Sequence, residues 1–226
     1  MKRRLSLIIF IICQSICCWL AAATVTAQSQ NFRAATAASY IERGNKWFAK
    51  SEYVRAEADF DLAIASDPGC AEAYYNRATT RHQLGKLEES LADFDRALQL
   101  NPRIIEAYMN RGGVRYLLGD LDGAISDGDK AIELNPRLAE AWGNRGQARC
   151  DKGDLEGALA DLDHALKLAP RVAQNWGSRG RTRLLKGDLA GPSAITPVRS
   201  SSLPIRLLPT VIAARYGNKQ ATWTAH

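Results

Sequence analysis

A chain of 226 residues that is 46% hydrophobic and 24% charged can bury a core, which excludes a wholly disordered protein and leaves room for one or two domains or one extended array. Its formal charge of +6 sits at the ends, because residues 1–33 and 191–226 each carry four basic residues and no acid. The stretch between them holds 22 basic and 24 acidic residues, a net of −2, which offers no positive footprint for a phosphate backbone and argues against nucleic acid as a partner.

The first thirty residues have the tripartite form of a leader. Lys2-Arg3-Arg4 precede an apolar stretch from Leu5 to about Ala23, and Val25-Thr26-Ala27 follow with small residues at the two positions a signal peptidase reads. Residues 1–27 are therefore expected to be a signal peptide cleaved before Gln28. The alternative is an uncleaved membrane anchor over residues 5–23, although Gln14 and Ser15 interrupt it. Either way the folded part is expected to be exported, as a periplasmic, envelope or secreted protein. Three of the five cysteines lie in the leader, leaving Cys70 and Cys150. Residues 28–36 read as a short linker.

From residue 37 the chain repeats itself. Asp67-Pro68, Asn101-Pro102, Asn135-Pro136 and Ala169-Pro170 recur at a constant step of 34 residues. Tyr40, Tyr74, Tyr108, Trp142 and Trp176 form an aromatic column at the same step, and Gly44, Ala78, Gly112, Gly146 and Gly180 a column of small residues. Ala56, Ser90, Ala124 and Ala158 make a second small column, and Ala63, Ala97, Ala131 and Ala165 a third. Within residues 71–104 the pattern predicts a helix over about 72–84, a turn at Gly85-Lys86 and a second helix over about 87–100. Asn101-Pro102 ends that helix, since proline disfavours the helical conformation in the residue before it. Small residues fall where two antiparallel helices approach, and Tyr74, Leu87, Leu91, Phe94 and Leu98 fill the space between. A single unit cannot bury its apolar face, so the units must stack.

These residues resemble the tetratricopeptide repeat family: aromatic, Gly or Ala, Ala, aromatic, Ala and Pro in a 34-residue helix-turn-helix. The resemblance covers units at 37–70, 71–104, 105–138 and 139–172, with half of a fifth at 173–190. It implies an all-α fold, a right-handed superhelical solenoid of antiparallel helix pairs, acting as a non-catalytic scaffold that binds a protein or peptide in a concave groove. The groove face, carried over from the family, falls on Ile41, Asn45 and Phe48, then Tyr75, Thr79 and His82, then Met109, Gly113 and Tyr116. Gly143, Gln147 and Cys150 follow in the fourth unit, and Gln174 and Arg181 in the fifth. Each of these residues has packing against the next unit as its alternative role. Asn45 and Asn76 also match the asparagines with which some members clamp a terminal carboxylate. Ile41, Glu106 and Asn110 stand where that clamp needs cations, which excludes it.

Three departures mark this chain. Trp47 is followed at the same step by Arg81, Arg115, Arg149 and Arg183, and a second arginine lies four residues before each of the last four: Arg77, Arg111, Arg145 and Arg179. Spacing i, i+4 puts each pair on one helical face. The acids Asp93 and Asp95, Asp127 and Asp129, and Asp161 and Asp163 repeat in register on the second helices, so an internal Arg–Asp network within each unit is expected over a ladder for anionic ligands. Gly128 replaces the large residue found at Phe60, Phe94 and Leu162, which predicts a poorly packed third unit.

The third departure is the end of the array. "KGDLAGPSAITPVRSSS" opens like a helix pair, but Gly191-Pro192, Pro197, Pro204 and Pro209 prevent one. Residues 191–226 are expected to be an irregular basic tail, either an evolved extension or a shifted reading frame that cut a longer array short. The break would leave Trp176, Leu184 and Leu185 uncapped, so a structural role with self-association through this end is the alternative to groove binding.

Chemistry-bearing patterns are missing. His82, His164 and His226 are scattered, and no Cys/His set has metal-ligand spacing. "DLDGAISDGDKAIE" lacks glycine where a calcium loop requires it. No catalytic residue, metal site or cofactor is expected. Cys70 and Cys150, separated by more than two units, are expected to be free thiols, with an exposed Cys70 the one able to pair between molecules.

Overall fold

The computed structural model describes residues 32–188, which form nine α-helices and no strand. They are α1 (32–49), α2 (Tyr53–Ser66), α3 (Ala71–Gln83), α4 (Leu87–Leu100), α5 (Ile105–Leu117), α6 (Leu121–Leu134), α7 (Ala139–Lys152), α8 (Leu155–Leu168) and α9 (Ala173–Lys186). The expected boundaries of α3 and α4 hold to within a residue. Residues 32–36, read as linker, are already helical, and Thr36 Oγ1 donates to the Phe32 carbonyl inside that helix. The leader and the basic tail lie outside the described residues.

Local chemistry sets each turn. Between the helices of a unit, Gly85, Gly119, Gly153 and Gly187 take positive φ of 75–93°, the left-handed region that closes a helix end. In the first unit the same position is Ser51, at φ 60°, a side chain in a conformation that suits glycine. Between units, the second helix ends on a residue whose carboxylate or amide holds the turn after the proline. Asp67, Asn101 and Asn135 each accept, through Oδ1, from the backbone N–H two residues on, at 3.0, 3.1 and 3.1 Å. Asp120 and Asp154 cap α6 and α8 by accepting from Gly123 and Gly157.

Packing follows the columns. Phe60, Phe94 and Leu162 are fully buried, and so are the alanines at 56, 63, 78, 97, 131, 158 and 165. A Cβ on Gly44 would stand 2.6 Å from Phe60 Cε1, and one on Gly146 2.9 Å from Leu162 Cγ, so the large and small columns interlock. Ser90, the polar member of its column, stays satisfied by donating to the Ala78 carbonyl at 2.7 Å. Gly128 corrects the expectation of a gap. The stem of Arg145 occupies the missing side chain's place, and a Cβ at 128 would lie 2.9 Å from Arg145 Cβ. The third unit therefore loses helix propensity there rather than packing.

Each helix packs on its neighbours in sequence, as an array requires. First helices also touch one another (α3 with α5, α5 with α7, α7 with α9), whereas among α2–α9 no second helix touches another. The stack is drawn together on its first-helix side and splayed on the other, so the first helices line the inner face of the curve.

Ser51→Gly removes a side chain from a left-handed turn and is expected to stabilise the array by roughly 0.5–1 kcal/mol. A thermal midpoint that stays put or falls would contradict this account of the first turn.

Candidate functional site

Two polar systems run along the array, one holding the helices together and one facing the inner surface. The first is built from the arginines. Arg77 Nε and Nη2 grip both oxygens of Asp93 at 2.8 and 2.6 Å, and its Nη1 reaches back 2.7 Å to Asp61 in the preceding unit. Arg111 does the same with Asp127 and Asp95, and Arg145 with Asp161 and Asp129. Arg43 extends the column to Asp59. The second arginine of each pair, at 81, 115 and 149, adds a bond of 2.8–2.9 Å to the same aspartate. Asp93, Asp127 and Asp161 have side chains only 1–6% exposed, so these carboxylates are desolvated but fully engaged. Each primary guanidinium also lies over its unit's aromatic ring, from Arg43 on Tyr40 to Arg179 on Trp176, at 4.9–5.6 Å. The expected network is present, and its reach into the preceding unit makes it inter-unit as well. No arginine of pairs 77/81, 111/115 or 145/149 is free for an anionic ligand.

The inner surface carries the second system. Asn76 donates to Asn45 Oδ1 at 3.2 Å and Asn110 donates to the Tyr75 hydroxyl at 3.2 Å, tying successive first helices. Further along, Asp151 gathers three partners: the Tyr116 hydroxyl donates to it, Gln147 Nε2 donates at 3.0 Å, and Arg181 Nη1 lies 2.6 Å away. Ser178 donates to Gln147 Oε1 at 2.6 Å, so α5, α7 and α9 join one network. Burial alone would raise the Asp151 carboxyl, but the Tyr116 and Gln147 bonds and Arg181 outweigh it and hold the group below its ordinary value. Burial lowers His82 and raises Tyr75, the latter with help from the Glu106 carboxylate.

Of the residues assigned to the groove, Tyr75, Thr79, His82, Met109, Tyr116 and Gln147 are half-buried on this face, and Asn45 and Arg181 are exposed. Phe48 is half-buried against Tyr53, ring centroids 5.3 Å apart. Ile41 is a correction. It is 6% exposed and belongs to the core with Ala37, Phe60 and Ala73, because the start of α3 closes over it. Gly143 and Cys150 are likewise buried, and Cys70 is half-buried against the first unit's core rather than exposed. Asp151 was missed, although the sequence held a signal: its column otherwise reads Ala49, Gln83, Leu117 and Leu185. Among the described residues no group of three His, Cys, Asp or Glu side chains can hold a metal, and no helix is long and apolar enough to cross a membrane.

Stacked 34-residue helix pairs drawn together on one face define a repeat scaffold. Family models described as tetratricopeptide repeat match residues 71–104, 105–138 and 139–172, in the phase of the proline step, and the chain is a tetratricopeptide repeat protein. No curated protein matches it in sequence. Among solved structures, it is similar to YrrB, a TPR protein with an unusual peptide-binding site, at 25% identity and a TM-score of 0.61, covering 67% of this chain and 78% of that one. MamA from Desulfovibrio magneticus RS-1 aligns at 19% identity and TM-score 0.65 (68% and 86% covered), and the pilF protein of Pseudomonas aeruginosa at 17% and 0.62 (69% and 71%). At those identities the last two speak for the fold alone.

Asp161→Ala removes a buried carboxylate and leaves two half-buried guanidinium groups without their shared acceptor, and is expected to cost roughly 3 kcal/mol. Asp163→Ala removes one half-exposed ion pair and should cost below about 1 kcal/mol. Equal denaturant midpoints for the two variants would contradict the ranking.

Proposed function

We propose that this protein is an exported, non-catalytic scaffold that binds a peptide or a helix of another protein along the inner face of its first helices. Interaction with protein partners is what tetratricopeptide repeats generally do, and the peptide site of YrrB is a precedent for the fold. The observation that carries the reading is the strip of Tyr75, Thr79, His82, Met109 and Tyr116. These are half-buried aromatic, polar and thioether groups that keep part of their surface open on the side where the helices converge. Hydrogen bonds between the first helices pre-organise this strip, which lowers the ordering cost of binding.

A second reading draws on the other end of the array. Trp176, Leu184 and Leu185 on α9 are 50%, 65% and 56% exposed, an apolar surface of the kind an open solenoid end offers to another copy. Affinity capture with the wild type and with a Tyr75→Ala, Met109→Ala, Tyr116→Ala variant separates the two. The variant is expected to lose a partner that the wild type retains, whereas capture only of further copies of this chain, by both forms alike, favours end-to-end association. Export rests on the leader, and chain recovered from outside the cytoplasm is expected to have an intact mass that begins at Gln28. A mass that includes residues 5–23 favours the anchor instead.

A further inference from the structure

The repeat pattern is broken twice at one place. Column 41/75/109/143 runs Ile, Tyr, Met and then Gly143, and column 73/107/141/175 runs Ala three times and then Asn175. The two exceptions meet. Asn175 on α9 puts its side chain over Gly143 on α7, so closely that a Cβ at 143 would lie 2.5 Å from Asn175 Oδ1. The preceding alanines are all fully buried, and Asn175 is 6% exposed, yet among the described residues its amide makes no hydrogen bond. The amide is not sealed off, since among the described residues the one buried side-chain polar atom without a hydrogen-bond partner is Arg179 Nε. The Asn175 amide faces a pocket lined by Glu140, Asn144, Val172, Gln174 and Asn175.

The pocket's one charged side chain is an acid. The pocket offers a carboxylate and three amide oxygens, and no cation lines it. Glu140 enters no ion pair among the described residues, and the nearby Arg137 and Arg171 are exposed and likewise pair with no acid there. Asn144 is also left open. Its counterparts Asn76 and Asn110 use Asn45 and Tyr75 of the preceding unit, but the positions equivalent to those acceptors, 31 and 35 residues before Asn144, are Gly113 and Met109, which present no side-chain acceptor. Val172, 42% exposed, supplies an apolar wall for a carbon stem.

We infer that this pocket between α7 and α9 is a subsite for a basic side chain, lysine or arginine, of the bound partner. An alkylammonium or guanidinium group has only donors, and the pocket presents an anion and amide carbonyls to receive them. The inference rests on the groove reading, because the pocket opens beside the first-helix strip, and it adds the partner's chemistry: a peptide with a cation held near the C-terminal end of the array.

The test is a titration of the full ¹⁵N-labelled chain, followed through side-chain amide signals, with N-acetyl-lysine methylamide, N-acetyl-arginine methylamide and the uncharged isostere N-acetyl-norleucine methylamide. At least one cationic probe is expected to shift Asn144, Gln174 and Asn175 saturably, with no such response to norleucine. Glu140→Gln is expected to weaken binding about tenfold, the loss of one charge-assisted hydrogen bond. Asn175→Ala, which restores the residue of the earlier units, should weaken it as well, while Glu106→Gln, one unit earlier, leaves it unchanged. Equal shifts with norleucine, or equal affinities in the Glu140 and Glu106 variants, overturn the assignment. Glu140 and Glu106 are both exposed, so neither variant threatens folding. Since the probes are single residues, failure here leaves the capture result standing, and a failed capture leaves this titration valid.

Discussion

The structure depends on one arrangement repeated in the second, third and fourth units: a buried aspartate on the second helix held by two arginines on the first. The core around it is thin. Apart from Phe60, Phe94, Leu162 and Val114, the fully buried side chains are small or polar. Alanine columns bring helices close but remove little apolar area from water, so they cannot by themselves fix which turn faces which. A guanidinium that must meet both oxygens of a desolvated carboxylate can do so in one register only, since any other leaves two cations and an anion buried and unpaired. The fork thus sets alignment, and apolar burial supplies the driving force.

That division of labour keeps the paired arginines off the inner face. The primary arginines are engaged between the helices, each over its unit's aromatic ring, and on the inner surface Arg181 is itself paired with Asp151. That surface carries tyrosines, asparagines, a methionine and the Asp151 network. The inter-helix hydrogen bonds there change partner along the array: asparagine to asparagine, then asparagine to tyrosine, then the cluster around Asp151. The face is chemically graded from one end to the other, and a long ligand would meet a different environment at every unit.

The period, the helix boundaries and the internal role of the arginines were legible because each belongs to a contact that recurs, and a recurring contact leaves a column in the sequence. The reach of Arg77, Arg111 and Arg145 into the preceding unit was not, since two aspartates two residues apart look alike until one is seen to turn inward and the other toward the next pair. Gly128 appeared to be a defect because its column records only its own unit, whereas the atoms that fill the gap come from Arg145. Gly143 and Asn175 depart from their columns 32 residues apart, and only their juxtaposition in the structure makes them a matched exchange. A shared first-helix face was legible from the columns, but Ile41 shows the limit: position in a column cannot say whether the neighbouring helix closes over it.

The arithmetic of the arginine contacts has a further result. Arg77, Arg111 and Arg145 each find one aspartate 16 residues ahead and another 16 behind. A unit therefore supplies, at fixed offsets from its own arginine, one acid for itself and one for its successor. Whole units inserted, deleted or exchanged between positions preserve every one of these bonds, while a change in length by any other number of residues breaks them on both sides of the junction. Such an array can lengthen or shorten by recombination without inventing a new interface. In the sequence that exchange of acids stops at one place: ahead of Arg179, at the two offsets where aspartates belong, stand Ile195 and Pro197.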